Sequence, residues 1–250
     1  MQCGLYGKMP SKRDFIAIST PREFLDIWEP WMQGGLSASR QTLGDDWRQA
    51  FLTAPIWRFW LGAELCGRPV LGAFMPSLDG IGRYFPLTLL AYGDQGSAIP
   101  PPEFDPQDSW FAVAEEYLLS TLEDHATFEA VTSGLERLAR PSDDAPAAKR
   151  DDVIETKGGM VAHAEGHPLP ELFASLRVAD HANVYASATF WWTIGGEGYR
   201  PLAMSGRRLP DPFQFTETAS DPQRGRLKAP IPAMASFSAA TAVSANDKRR

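Results

Sequence analysis

The stretch Pro76-Ser77-Leu78-Asp79-Gly80-Ile81-Gly82-Arg83-Tyr84-Phe85-Pro86-Leu87-Thr88-Leu89-Leu90-Ala91 decides the architecture. Its first half is turn-forming, with Gly80 and Gly82 set between the charged side chains of Asp79 and Arg83, and its second half is an apolar run of strand length. A polar loop feeding a buried strand presents recognition groups on a rigid base. On its N-terminal side, Trp57 to Gly62 and Arg68 to Met75 are equally rich in aromatic and aliphatic residues and are separated by Gly- and Pro-bearing turns. Together with Tyr84 to Tyr92 they read as an antiparallel meander. Pro86 falls inside the third run, which predicts an edge position or a bulge, because proline cannot donate to a ladder.

Further out, Cys3 to Tyr6 is a short strand candidate, and Gly7 to Phe15 is a loop by composition. Thr20-Pro21-Arg22-Glu23 reads as a helix start, with a Thr cap, Pro at the first helical position and Glu three residues after the cap. Phe24, Ile27, Trp28 and Trp31 continue it as one apolar stripe. Pro30 predicts a kink or restart near Glu29. A second helix is expected from Asp45 to Thr53, ended by Pro55. After the linker Ile99-Pro100-Pro101-Pro102, helical spacing recurs in Trp110, Val113, Ala114, Tyr117 and Leu118, and again in Phe128, Val131, Leu135 and Leu138.

Pro141 to Gly159 lacks periodicity and reads as a mobile acidic insert. Leu169 to Leu176 is a short helix, and Val184, Ala186, Ala188, Phe190 and Trp192 alternate as a half-buried strand does. Arg200 to Met204 pairs with that strand through the Gly195 to Gly198 turn. The expected organisation is one domain over residues 1–216, carrying the insert 141–159, followed by a disordered tail over 217–250 that is rich in Ala, Ser and Pro.

The 250 residues, 44% of them hydrophobic and 22% charged, suffice for a full core. A net charge of −7 repels a phosphate backbone and disfavours nucleic acid as a partner. No apolar run approaches the ~20 residues that span a bilayer, and the N-terminus lacks the pattern of a signal peptide, so a cytoplasmic protein without membrane insertion is expected. The two cysteines, Cys3 and Cys66, sit in strand-like apolar settings and read as reduced structural thiols. Trp28, Trp31, Trp47, Trp57 and Trp60 crowd the first sixty residues, where large aromatics serve a core or an interface.

No catalytic set is apparent. The motif G-x-S-x-G is absent, and a lone Cys66 beside a strand lacks the electropositive setting that makes a thiolate. A hydrolase using Cys66 or Ser77 with one of the histidines stays formally open. His163 and His167 are four apart, but Gly166 and Pro168 oppose a regular helix and no third ligand follows from spacing, so no metal is assigned. The short glycine clusters lack the Lys and Ser or Thr of a phosphate loop, and no cofactor is implied. Lys8, Lys12, Arg13 and Asp14 form one mixed-charge loop, and Asp79 with Arg83 forms another. Either they are solvated surface with an ion pair pinning a turn, or they make a recognition face at one end of the sheet.

Several ordered blocks carry a family resemblance: Gly4 to Phe15, Gly35 to Arg40, Leu43 to Asp45, Ala54 to Phe59, Pro76 to Ala91, and Phe190-Trp191-Trp192-Thr193 with Gly206, Leu209 and Pro210. Together they resemble the TagF, or ImpM-like, family of type VI secretion accessory proteins, over about Cys3 to Phe215. The resemblance implies an α/β (α+β) fold, an α-β-α sandwich around a mostly antiparallel sheet, similar to longin and profilin-like domains. It implies a non-catalytic cytoplasmic repressor acting after translation. The implied partner is the system's forkhead-associated scaffold protein, with a link to a threonine kinase and phosphatase pathway. The partner-binding residues expected on that basis are Lys8, Ser11, Arg13, Asp14, Asp79, Arg83, Trp191 and Trp192. The alternative is a structural or assembly component of the secretion machine.

Overall fold

The structure, a computed structural model, describes residues 1–93, 99–142, 153–163, 166–195 and 200–210. Its centre is a seven-stranded sheet in the order β2-β1-β5-β4-β3-β8-β9. The strands are β1 (Gln2–Gly7), β2 (Ile16–Ile18), β3 (Trp57–Leu61), β4 (Val70–Met75), β5 (Leu87–Tyr92), β8 (Thr189–Thr193) and β9 (Leu202–Gly206). Every pairing between them is antiparallel. The expected meander is therefore β3-β4-β5, with β1 laid back along β5 so that Leu5 faces Leu89 and Tyr6 faces Thr88.

The central strands are buried on both faces, as their near-continuous apolar runs require. Successive side chains alternate between two cores. Trp60, Leu71, Ala73, Leu87, Leu89 and Ala91 face Trp110, Phe111, Ala114 and Leu118 of α4 (Asp108–Ser120) and Val131 and Leu135 of α5 (Phe128–Arg137). On the other face, Trp57, Phe59, Leu61, Val70, Phe74, Leu90 and Trp191 pack on Phe24, Trp28 and Met32 of α1 (Arg22–Leu43). Helices thus cover both faces of one sheet, the α-β-α arrangement expected. At Gly72 the Phe59 ring lies over the backbone, so an added Cβ would overlap that ring and sit 2.5 Å from the Leu89 carbonyl oxygen.

Several local expectations need correction. Pro86 precedes β5 rather than lying within it, and β5 is central, because Tyr84 is used instead in a bridge to Leu78 that closes the preceding loop. Thr20 does not cap α1. Its hydroxyl donates to the Leu5 and Ile18 carbonyls at 3.3 and 3.1 Å, and Pro21 occupies the cap position. The helix runs unbroken through Pro30, which is exposed while Trp28 and Met32 are buried: the packed aromatic face outweighs one missing backbone bond.

A 3-10 turn, Gly44–Asp46, and α2 (Trp47–Leu52) fill the expected second helix, and α3 (Ala63–Cys66) bridges β3 and β4. The segment read as a mobile loop to Gly159 contains β6 (Val153–Thr156), paired with β7 (Gly159–Ala162). Residues 143–152 of that insert lie outside the described residues, as does the expected disordered tail 217–250. The helix read at Leu169 extends as α6 (Leu169–Ala179), followed by α7 (His181–Val184), which takes up Val184 and leaves only Thr189 onward as strand. Among the described residues, no helix is long and apolar enough to cross a membrane.

Candidate partner-binding site

The loop from Pro76 to Pro86 is built around one carboxylate. Asp79 is fully buried, and its two oxygens accept four hydrogen bonds. Oδ1 takes the backbone N–H groups of Ile81 and Arg83 at 3.1 and 2.9 Å; Oδ2 takes Lys8 Nζ at 2.9 Å and Arg83 Nε at 2.7 Å. Two backbone bonds, Asp79 N–H to Arg83 O at 3.1 Å and Gly82 N–H to Asp79 O at 2.9 Å, close the turn from inside. Burial by itself pushes the Asp79 carboxyl up, but the hydrogen bonds from Arg83, Lys8 and Ile81 outweigh it and hold the group well below the usual carboxylate range.

The same residues join the two sequence loops. Lys8 leaves the end of β1 and is itself buried, its ammonium 4.9 Å from the Phe15 ring. Gly80 N–H donates to Lys12 O at 2.8 Å, and a Cβ at Gly80 would lie 2.9 Å from the Pro10 carbonyl oxygen, so only glycine permits this approach. The Arg83 guanidinium donates to the Arg13 carbonyl and reaches to 4.0 Å from Asp14 Oδ1. Beneath them Phe15 meets Phe85 edge-on at 4.8 Å, and Phe85 meets Tyr6 at 6.0 Å.

This arrangement sorts the expected partner-binding residues. Ser11, Arg13, Asp14 and Arg83 are exposed and share one surface with two exposed apolar side chains, Phe15 and Ile81. Lys8 and Asp79 are buried and cannot reach a partner; they hold the two loops together. Trp191 is a correction of the same kind, being 1% exposed in the aromatic core with Trp28 at 6.0 Å and Trp31 at 5.1 Å. Trp192 is half-buried, edge-on to Phe111 at 5.2 Å, in the core on the opposite face. Side chains on consecutive strand positions must point to opposite faces, so the pair could not form one surface.

Three residues lie outside the sequence expectation. Phe15 and Ile81 carry the apolar part of the surface, and their only sequence signal was an apolar residue inside a polar loop. Arg58, on β3, is buried and clamps α4 to the sheet: its Nε lies 2.6 Å from Glu115, its Nη1 3.2 Å from Asp108, and its guanidinium 4.7 Å from the Phe111 ring. An arginine in an otherwise apolar strand was the available sign.

The groups considered for chemistry are set for packing. Burial pushes the Cys66 thiol up to about 11, and its sulfur donates to the Arg68 carbonyl at 3.5 Å. Burial pushes Cys3 up to about 11 as well. A protonated buried thiol is the reverse of a nucleophile's requirement. Ser77 is buried, and its hydroxyl has no hydrogen-bond partner among the described residues. His163 and His167 are both exposed, and His167 Nδ1 lies 2.9 Å from Glu171. Among the described residues, no three His, Cys, Asp or Glu side chains gather as a metal set.

Comparison with known proteins gives two positive findings. Residues 4–138 match the family model described as TagF N-terminal domain, type VI secretion system-associated. The fold is similar to the crystal structure of PA0076 from Pseudomonas aeruginosa PAO1, with a TM-score of 0.71 and 28% sequence identity, covering 94% of this chain and 100% of that one. No curated protein matches the chain. The matched span contains both loops, the Asp79 anchor and Arg58.

Proposed function

Because the chain belongs to the TagF family of type VI secretion system-associated proteins, we propose that it is a non-catalytic cytoplasmic regulator that represses secretion after translation by holding the system's forkhead-associated scaffold protein. One observation carries the reading: the clamp of Asp79, Lys8 and Arg83 spends its charges internally and leaves a rigid surface of Ser11, Arg13, Asp14, Phe15, Ile81 and Arg83 outside. A preformed surface with apolar and Arg contacts lowers the ordering cost of docking and suits a protein partner. The raised Cys66 thiol argues against the hydrolase alternative.

The test is capture of the scaffold from cells by the tagged full chain, alongside effector secretion. Wild type retains the scaffold and its deletion raises secretion, whereas Ile81→Asp with Arg13→Glu abolishes capture with the fold intact. If wild type does not retain the scaffold and deletion leaves secretion unchanged, the reading is wrong.

A further inference from the structure

Beside the clamp, α1 and the 76–86 loop enclose a groove of about 340 Å³, lined among others by Gln33, Leu36, Arg40 and Gln41 of the helix and by Tyr84 and Phe85. Phe85 is the residue whose ring meets Phe15, so the groove continues the surface already described. Leu36 and the rings of Tyr84 and Phe85 are its apolar part. Its rim is cationic: the Arg40 guanidinium lies 4.2 Å from the Trp47 ring and that of Arg48 5.9 Å from the Tyr84 ring. Among the described residues, neither of them, nor Arg13 alongside, forms an ion pair, whereas Arg83 is taken by Asp79 and approached by Asp14. Three exposed guanidiniums without acidic partners are notable on a chain of net charge −7.

We propose that this groove docks an extended acidic segment of a protein partner, its apolar side chains on Leu36 and Tyr84 and its carboxylates on Arg40, Arg48 and Arg13. The proposal rests on the partner-binding reading above and names the chemistry of the segment held. Planar guanidiniums fixed over aromatic rings are preorganised for carboxylates, and the free amide of Gln41 can serve a peptide backbone. The chain's own segment beyond Pro210 does not suit the groove, because it holds more basic than acidic residues and ends in Lys248-Arg249-Arg250. A nucleic acid would extend past the groove onto a surface of negative net charge.

The probe is a short fluorescein-labelled peptide of Glu and Leu, titrated with the full chain by anisotropy beside a Lys and Leu peptide and a single-stranded oligonucleotide. The acidic peptide binds, weakens as salt rises, and loses about tenfold in affinity with Arg40→Glu/Arg48→Glu, while Arg137→Glu on the opposite face changes nothing. Should the first variant fail to fold, Arg13→Glu/Gln41→Glu reads the same surface and shows the same loss. Unchanged binding by a folded groove variant overturns the proposal, as does equal binding of the basic peptide or tighter binding of the oligonucleotide. Scaffold capture that survives the groove variants refutes this proposal and leaves the regulator reading standing. Peptide binding that responds to the variants, with no capture by wild type, does the reverse.

Discussion

Replacing Asp79 with Asn isolates what the clamp contributes. The asparagine oxygen can keep the two backbone donors of Ile81 and Arg83, now held at 3.1 and 2.9 Å, but its NH2 then faces Lys8 Nζ and Arg83 Nε. Arg83 is 53% exposed in its side chain and turns to water; Lys8 is 7% exposed and cannot. An ammonium is left buried without its counter-charge, which costs about 3 to 5 kcal/mol. With a urea slope of about 2 kcal/mol per molar, the unfolding midpoint followed by tryptophan fluorescence falls by roughly 2 M at constant slope.

Lys8→Met removes the buried charge together with its desolvation and leaves Asp79 three donors, so its loss is smaller, about 1 to 2 kcal/mol. The double variant is then less destabilised than the sum by about 1 kcal/mol or more. The pH dependence has a fixed sign. Asp79 is held below its unfolded-state value, so the unfolded chain binds more protons in between; the stabilisation is complete above about pH 4 and is lost as pH falls below that. An Asp79→Asn midpoint within about 0.3 M of wild type, or an additive double variant, refutes the argument.

Other outcomes follow from buried and half-buried groups elsewhere. Cys66 and Cys3, both pushed up to about 11, react slowly with a thiol reagent in the native state and fully in urea; because these thiols hold their protons longer when folded, stability declines as pH rises from about 9 to 11. Fast native labelling at neutral pH contradicts this. Gly72→Ala, which drives a Cβ into the Phe59 ring and to 2.5 Å from the Leu89 carbonyl oxygen, costs about 1 to 3 kcal/mol by urea midpoint; an unchanged midpoint contradicts this close approach. Arg58→Met strands Glu115, 16% exposed, and costs about 2 to 3 kcal/mol, with proteolysis within α4 as the readout of its detachment; resistance equal to wild type contradicts the clamp.

The strands of the sheet were legible because each burial pattern is local. Trp57 to Leu61, Val70 to Met75 and Leu87 to Tyr92 are apolar runs that only a strand covered on both faces would use, and the amphipathic spacing of α4 and α5 supplied the covers. Errors fell where a tertiary contact overrode a local rule. Pro30 predicts a kink or restart near Glu29, but the aromatic packing of Trp28 holds α1 through it. Thr20 carried a capping pattern and bonds strand carbonyls instead. Trp191 and Trp192, both expected from the family resemblance to bind a partner, take neighbouring strand positions that face opposite layers.

The sequence by itself determined the central strands, the helices that cover them, the two mixed-charge loops and the family blocks, because periodicity, turn chemistry and ordered motifs are properties of short segments. Only the tertiary structure decided which charges are spent and which are offered. Lys8 and Asp79 are 71 positions apart and become a buried pair because β1 lies back along β5. Burial in that contact turns two candidate recognition residues into an anchor, and it leaves Arg13, Phe15 and Ile81 as the surface. Exposure depends on what the rest of the chain brings alongside, which spacing along one segment does not contain.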